Sequence, residues 1–250
     1  MKSAWTHIFE TLAYAGAGDL EITAETIKQC GKTWLGKANQ FEPRLLCYQS
    51  SDRDRPEIFK QYGLCILPIK NGTYLLTKNN IYSKLDYSQI GEKIFARDTS
   101  STILSLGKSE TSLIDNMRYS GIFEYILEEP ITHGPLLNGR HRISIPSMKL
   151  GEKTISISGV QYETDACFET LNKILIIECK ASAKEIPSFN IRQLFFPYTA
   201  VRQHNNHHKE IVCAFIHEIS NQIHVWTYDF TDPLAMESIE LKKKFIFKII

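Results

Sequence analysis

QYETDACFETLNKILIIECKAS, residues 161–182, holds the pattern that decides the fold. Two runs rich in β-branched and aromatic residues flank a short polar break at 170–173, so the spacing predicts two strands joined as a hairpin. Charged residues stand where a buried strand should avoid them. Asp165 lies inside the first run, and Glu178 and Lys180 follow directly on the apolar ILII of the second. With Leu171 and Asn172 as the two loop residues, Thr170 pairs with Lys173, Asp165 falls opposite Glu178, and Glu163 falls opposite Lys180. Side chains alternate along a strand, so Glu178 and Lys180 share a face and Cys179 points the other way. Directly opposed residues hold their Cβ atoms within about 4.5–5.5 Å of each other. Two carboxylates that close repel, and one retains a proton unless a cation lies between them. Mg²⁺ suits such a place, because it takes oxygen ligands from one or two carboxylates, waters and a substrate phosphate. A lysine alongside can steer a water or offset charge developing on a phosphate. Single acids at strand ends are usually solvated, and a Glu–Lys pair across a hairpin is commonly a surface salt bridge. Here the two acids oppose each other, the lysine is two residues on, and KILIIE is too apolar to lie at a surface.

The chain of 250 residues, 43% hydrophobic and 23% charged, suits a soluble globular protein with one large domain or two modest ones. It is long enough to bury a substantial core. The opening MKSAWTHIFETLAYAG carries no basic segment followed by a long apolar one, so no signal peptide is expected. No apolar run approaches the about 20 residues that span a bilayer, so no membrane segment is expected either. Six cysteines (30, 47, 65, 167, 179, 213) are widely spread without a CxxC pair. They argue against zinc clusters and thioredoxin-like motifs, and for reduced thiols in a cytoplasm. The formal net charge of +1 excludes a histone-like polycation and confines any nucleic-acid surface to a local patch.

The first hundred residues differ in character from the rest. ITAETIKQC reads as a short helix with Thr23 as its N-cap and Gly31 at its end. RPEIFKQYG reads as another, with Pro56 near its start and Gly63 closing it. LCILPIKNGTYLLTK places two apolar strands around Asn71-Gly72, a strong hairpin signal. Helices followed by a hairpin predict a winged-helix-like domain; the alternative is a small α+β module that only packs against the remainder. In a winged helix, a helix enters a DNA groove, and Lys28, Lys32, Lys37 and Arg44 are the basic side chains expected on phosphates or bases.

ARDTSSTILSLGKSET, near residues 95–110, is polar and marks the expected boundary between domains 1–105 and 106–250. SLIDNMRYSGIFEYILEE follows with helical spacing, stopped by Pro130. GRHRISIP and KTISISGVQYETDACFE read as strands, and FNIRQLFFPYTAVRQ as a helix broken around Pro197. EIVCAFIHEI and QIHVWTYDF read as two further strands. This order predicts an α/β (α+β) domain, a mixed sheet flanked by helices.

Asp165 followed by Glu178-Cys179-Lys180 at the end of an apolar strand resembles the PD-(D/E)xK nuclease motif. GVQYETDACFE, ILIIECKAS and FNIRQLFFPYTAVR together resemble type II restriction endonucleases with an N-terminal winged-helix-like region. The resemblance covers roughly 106–230, and 1–105 more loosely. One departure is Thr164 where the family places proline. The resemblance implies a restriction-endonuclease-like fold and Mg²⁺-dependent hydrolysis of double-stranded DNA at a short site, giving 5′-phosphate and 3′-hydroxyl ends. Asp165 and Glu178 would bind Mg²⁺ with the backbone carbonyl of Cys179, Lys180 would position the attacking water, and Gln193 would support the site. An acid on the preceding helix often completes it; Glu110 and Glu124 both qualify. Glu163 is then a charge partner of Lys180. The readings from other classes are a DNA-binding regulator with an inactive nuclease-like domain, and a repair or mobile-element nuclease.

Other features carry less. GRHR puts Arg140 and Arg142 on one strand face, suited to phosphate or guanine or to surface pairing. HNNHHK (204–209) offers histidines in a polar loop, where solvation is the usual state, and KKK (242–244) reads as a solvated end. One nuclease motif cuts one strand, so a homodimer on palindromic DNA is expected, with QIHVWTYDF as a possible dimer surface; the alternative is a monomer that nicks the strands in turn.

Overall fold

The structure is a computed structural model that describes residues 3–36, 38–88, 91–96, 109–206 and 208–250. Helix α1 (Ala4–Thr11) starts at Ser3, whose Oγ accepts the Thr6 N–H at 3.2 Å. Strand β1 (Leu20–Thr23) runs straight into α2 (Ala24–Gly31), and Thr23 Oγ1 caps it by accepting the Thr26 N–H at 3.1 Å. Short α3 (Pro43–Leu46) and α4 (Glu57–Tyr62) follow, and α4 closes at Gly63, whose φ of 66° is the left-handed geometry that favours glycine. Strands β2 (Cys65–Lys70) and β3 (Thr73–Thr77) form a hairpin around Asn71-Gly72, and β1 pairs antiparallel with β3. The two expected helices and the hairpin after them are present, and α1, β1 and α3 are additions to that order, with β1 recruited to the hairpin. Trp5, Phe9 and Phe59 are buried beneath it, with Trp5 and Phe59 ring centroids 4.7 Å apart. Burying each phenylalanine contributes about 1.5–3 kcal/mol.

After β4 (Tyr82–Lys84) and β5 (Glu92–Phe95) the chain reaches α5 (Glu110–Tyr119) and α6 (Ile122–Leu127). The boundary expected near 95–110 falls mainly on 97–108, outside the described residues. Strands β6 (His133–Leu136), β7 (Gly139–Leu150), β8 (Lys153–Thr164), β9 (Ala166–Glu169), β10 (Lys173–Ala181) and β11 (Ser188–Asn190) lead to α7 (Arg192–His204), then β12 (Glu210–Ile219), β13 (Gln222–Phe230) and β14 (Ile239–Ile249). The main sheet has the order β5-β14-β13-β12-β10-β9-β6, with β10 and β12 parallel and α7 as their crossover. Leu113, Met117, Phe123 and Leu127 of α5 and α6 pack on one face, against Phe168, Leu175, Ile177 and Ile216. Leu194, Phe195 and Phe196 of α7 pack on the other, against Ile174, Ile176 and Phe215. The result is a mixed α+β protein whose main sheet lies between helical layers. A second sheet, β1-β3-β2-β8-β7, runs from the N-terminal strands into the long β7–β8 hairpin.

Several expectations are corrected. The single helix expected over SLIDNMRYSGIFEYILEE is two, because Gly121 takes a φ of 76° and turns the chain so that both pieces bury an apolar face. The strand expected over KTISISGVQYETDACFE bends at Asp165: β8 belongs to the second sheet and β9 to the main one. Helix α7 is not broken at Pro197, since the missing N–H forfeits only one bond, to the Gln193 carbonyl, while the ring is buried in the core. KKK lies within β14 rather than at a loose end. QIHVWTYDF is β13, flanked by β12 and β14, with Val225, Trp226 and Tyr228 buried. It offers no uncovered face for a dimer.

Candidate active site

The β9–β10 ladder pairs Glu169 with Ile174 and Ala166 with Ile177, and the Thr170 N–H reaches the Lys173 carbonyl at 2.9 Å. This is the register expected from the sequence. Asp165 sits one step beyond the ladder, its N–H on the Ile177 carbonyl at 3.3 Å, where β8 departs for the other sheet. Its carboxylate swings over the end of β10, and Oδ2 accepts the Cys179 N–H at 2.7 Å. Along β10 the even residues face α7, which puts Glu178 and Lys180 on that side and leaves Cys179 under α5.

Lys180 Nζ lies 2.7 Å from Glu178 Oε1, 3.9 Å from Asp165 Oδ2 and 3.6 Å from Glu110 Oε1, and donates to the Cys179 carbonyl at 2.8 Å. Two carboxylates that share one ammonium at these distances lie within the cross-strand reach of about 8 Å. Gln193, on the first turn of α7, donates through Nε2 to Glu178 Oε1. Glu178 is only 6% exposed. Burial pushes its carboxyl up to about 7, Lys180 pulls it back, and Asp165 adds to the rise. Burial disfavours the charge on Lys180, but Glu178, then Asp165 and Glu110, outweigh it and hold the ammonium above the ordinary lysine range. The Cys179 thiol, pushed far up by burial, is inert.

The structure distinguishes between the two candidate acids. Glu110, at the start of α5, reaches Lys180 and lines the cleft; Glu124 is not among the lining residues. Glu163 is corrected: it ion-pairs with Arg140 at 2.8 Å and not with Lys180, because β8 pairs with β7 rather than continuing beside β10. Arg142, on the same face as Arg140, donates to the Gly159 carbonyl at 2.7 Å. Lys28, Lys32 and Arg44 are exposed on or beside α2 and α3, well apart in sequence from the acids, and Lys37 lies outside the described residues. In the 204–209 stretch His204 bonds the Ala200 carbonyl and Lys209 pairs with Glu169, so the described part serves the turn into β12.

The carboxylates open into a cleft of about 330 Å³. Four of its lining residues carry no local signal of a site: Tyr48 from the N-terminal half, Gln161 and Tyr162 on β8, and Arg192 beside Gln193. Burial lowers the Arg192 pKa, with Tyr48 and Glu178 opposing; a guanidinium nonetheless stays charged at any working pH. Beyond Lys180, buried His217 on β12 bonds the Tyr87 hydroxyl through Nδ1 at 2.7 Å and Ser182 Oγ through Nε2 at 2.9 Å, tying down the chain that leaves β10. Among the described residues no three His, Cys, Asp or Glu side chains form a ready-made metal cage. No helix in the described chain is long and apolar enough to cross a membrane.

No curated protein and no solved structure matches the chain. Residues 2–76 match a family described as Domain of unknown function (DUF6996). Residues 77–248 match a second family, which covers more than half of the sequence and includes every acid of the cleft, and the chain therefore belongs to the family described as Domain of unknown function (DUF6997).

Proposed function

We propose that the protein is a divalent-metal-dependent DNA endonuclease of the type II restriction kind. The observation that carries this reading is the meeting of Asp165, Glu178 and Lys180 at the end of β10, with Gln193 behind them. The donor set fits Mg²⁺. Asp165 Oδ1 and Glu178 Oε2 have no hydrogen bond or ion pair among the described residues, and the Cys179 carbonyl faces Lys180 at the same strand end. Two carboxylates and a carbonyl are hard oxygen donors, and Mg²⁺ completes its shell with waters and substrate phosphate rather than with a third protein side chain. When bound, Mg²⁺ would supply charge stabilisation for a phosphate under attack.

The chain's own residues do the rest. Gln193 fixes the Glu178 carboxylate from the α7 side, and the Cys179 N–H fixes Asp165. Lys180, held among three acids, donates to the attacking water and orients it in line with the bond to the leaving 3′ oxygen. Water adds to phosphorus and gives up a proton to solvent, the P–O3′ bond breaks, and the leaving oxygen takes a proton from solvent. The products are a 5′-phosphate and a 3′-hydroxyl. The exposed Lys28, Lys32 and Arg44, with Arg140 and Arg142, supply phosphate contacts on double-stranded DNA. Two copies of the chain, one per strand, account for a double-strand break. The test is digestion of mapped plasmid DNA in Mg²⁺ followed by sequencing of the ends. Recurrent cutting at one short site with 5′-phosphate termini is expected; intact plasmid with every sequence tried refutes the reading.

A further inference from the structure

A phosphodiester that enters this cleft meets mostly acids. Glu110, Glu163, Asp165 and Glu178 all line it, against two cations, Lys180 and Arg192. Lys180 is ion-paired with three carboxylates at 2.7, 3.6 and 3.9 Å. Arg192 is not. Its backbone N–H is held by Asn190 Oδ1 at 3.2 Å, but among the described residues its guanidinium makes no hydrogen bond, no ion pair and no stacking contact with a ring. The residue is half-buried. A guanidinium drawn out of water with five donors and no acceptor is costly unless something is to fill it, and its planar fork matches the oxygens of a phosphate.

Tyr48 also lines the cleft, 55% exposed, and its hydroxyl likewise has no hydrogen-bond partner among the described residues. One clasp sets both side chains. The Asn190 N–H reaches the Ser50 carbonyl at 2.8 Å, Asn190 Nδ2 reaches the Gln49 carbonyl at 3.2 Å, and the Asp52 N–H reaches Ser188 Oγ at 2.9 Å. The strand just before Arg192 is thus bound to the segment just after Tyr48, and the N-terminal half supplies part of the cleft.

We infer that Arg192 and Tyr48 form a phosphate subsite that grips the backbone of the cut strand beside the Asp165–Glu178–Lys180 centre, Arg192 by its two-pronged guanidinium and Tyr48 by its hydroxyl. The inference rests on the nuclease reading and adds to it a subsite that neither the motif nor its spacing contains. Both are positioning residues: they hold the phosphate while Lys180 orients the water.

The experiment uses the full chain and a duplex carrying the site recovered from plasmid digestion. Arg192→Ala, Arg192→Lys and Tyr48→Phe are compared with wild type by single-turnover cleavage in Mg²⁺ and by binding in Ca²⁺. Neutral methylphosphonates replace, one at a time, the phosphates around the cut. Arg192→Ala is expected to slow cleavage about 10²–10³-fold, Arg192→Lys to recover part of that because it keeps the charge but loses the fork, and Tyr48→Phe to cost about tenfold for one donor to a charged oxygen. Wild type should lose affinity at one methylphosphonate position where Arg192→Ala loses none, an outcome that mere damage to the fold does not produce. If Arg192→Ala does not fold, Arg192→Lys carries the same comparison. Cleavage by the Arg192 variants within about threefold of wild type, or equal losses by wild type and variant at every methylphosphonate, overturns the subsite and leaves the nuclease reading standing. A wild-type chain that neither cuts nor binds DNA overturns both.

Discussion

Replacing Glu178 with glutamine should flatten the pH dependence of stability in the metal-free protein. Glu178 is 6% exposed, and burial lifts its carboxyl from the ordinary 4.5 to about 7 despite the ammonium 2.7 Å away. A displacement of one pH unit corresponds to about 1.4 kcal/mol, so ionising Glu178 inside the fold costs about 3 kcal/mol. Its folded value lies above its unfolded one. The folded chain therefore holds the proton more tightly, and the stabilisation is fully present below about pH 4.5 and lost as pH rises through about 7. Urea unfolding of wild type and Glu178→Gln from pH 4.5 to 8, without divalent ions, should show wild type losing about 3 kcal/mol relative to the variant over that range. The buried His217 and His224 act in the opposite sense, since burial depresses both and their contribution is lost as pH falls; common to both proteins, they cancel in the difference. Saturating Mg²⁺ at pH 8 should restore wild type and leave the variant unmoved, because a cation replaces the missing proton. Parallel stability curves for the two proteins across this range would refute the burial argument.

Asp165→Ala and Lys180→Ala should each abolish cleavage while leaving DNA affinity within a few-fold, as seen by gel shift in Ca²⁺, which supports binding without cutting. Asp165→Ala should also lower stability by about 1–3 kcal/mol, because the Cys179 N–H loses its 2.7 Å acceptor, whereas Asp165→Asn keeps an acceptor there and should unfold near the wild-type midpoint. Charge reversal at Lys28, Lys32 or Arg44 should weaken binding and reduce its salt slope by about one for each phosphate no longer neutralised; an unchanged slope would remove these residues from the interface. Sedimentation with a cognate duplex should give two chains per duplex, and a single chain that still cuts both strands would exclude the dimer.

Local chemistry was legible wherever one segment decides its own conformation. Thr23 caps α2 and Gly63 closes α4 because a side-chain oxygen and a missing Cβ act within one turn. The β9–β10 register followed from a two-residue loop and the two-residue alternation of side chains, and it brought Asp165 to Glu178. Strands β12 and β13 were equally plain, since their apolar runs have little other place to go. The bend at Asp165 was not legible. Thr164 and Ala166 look alike in a strand pattern, yet they belong to different sheets. That switch hands Glu163 to Arg140, and no local rule separates it from the expected pairing with Lys180.

The sequence by itself determined the mixed α+β class, the helices at 24–31 and 57–62 with the hairpin after them, and the acids and lysine that alternation gathers on one strand face. Only the tertiary structure decided that Glu110 rather than Glu124 stands at Lys180, and that Tyr48 and Arg192 line the same cleft. The reason is range. A turn, a cap or a strand face is fixed by torsions over a few residues, whereas the choice of Glu110 depends on how α5 docks on the sheet. The placing of Tyr48 depends on hydrogen bonds between Gln49–Asp52 and Ser188–Asn190, segments that meet only once both halves of the chain have folded.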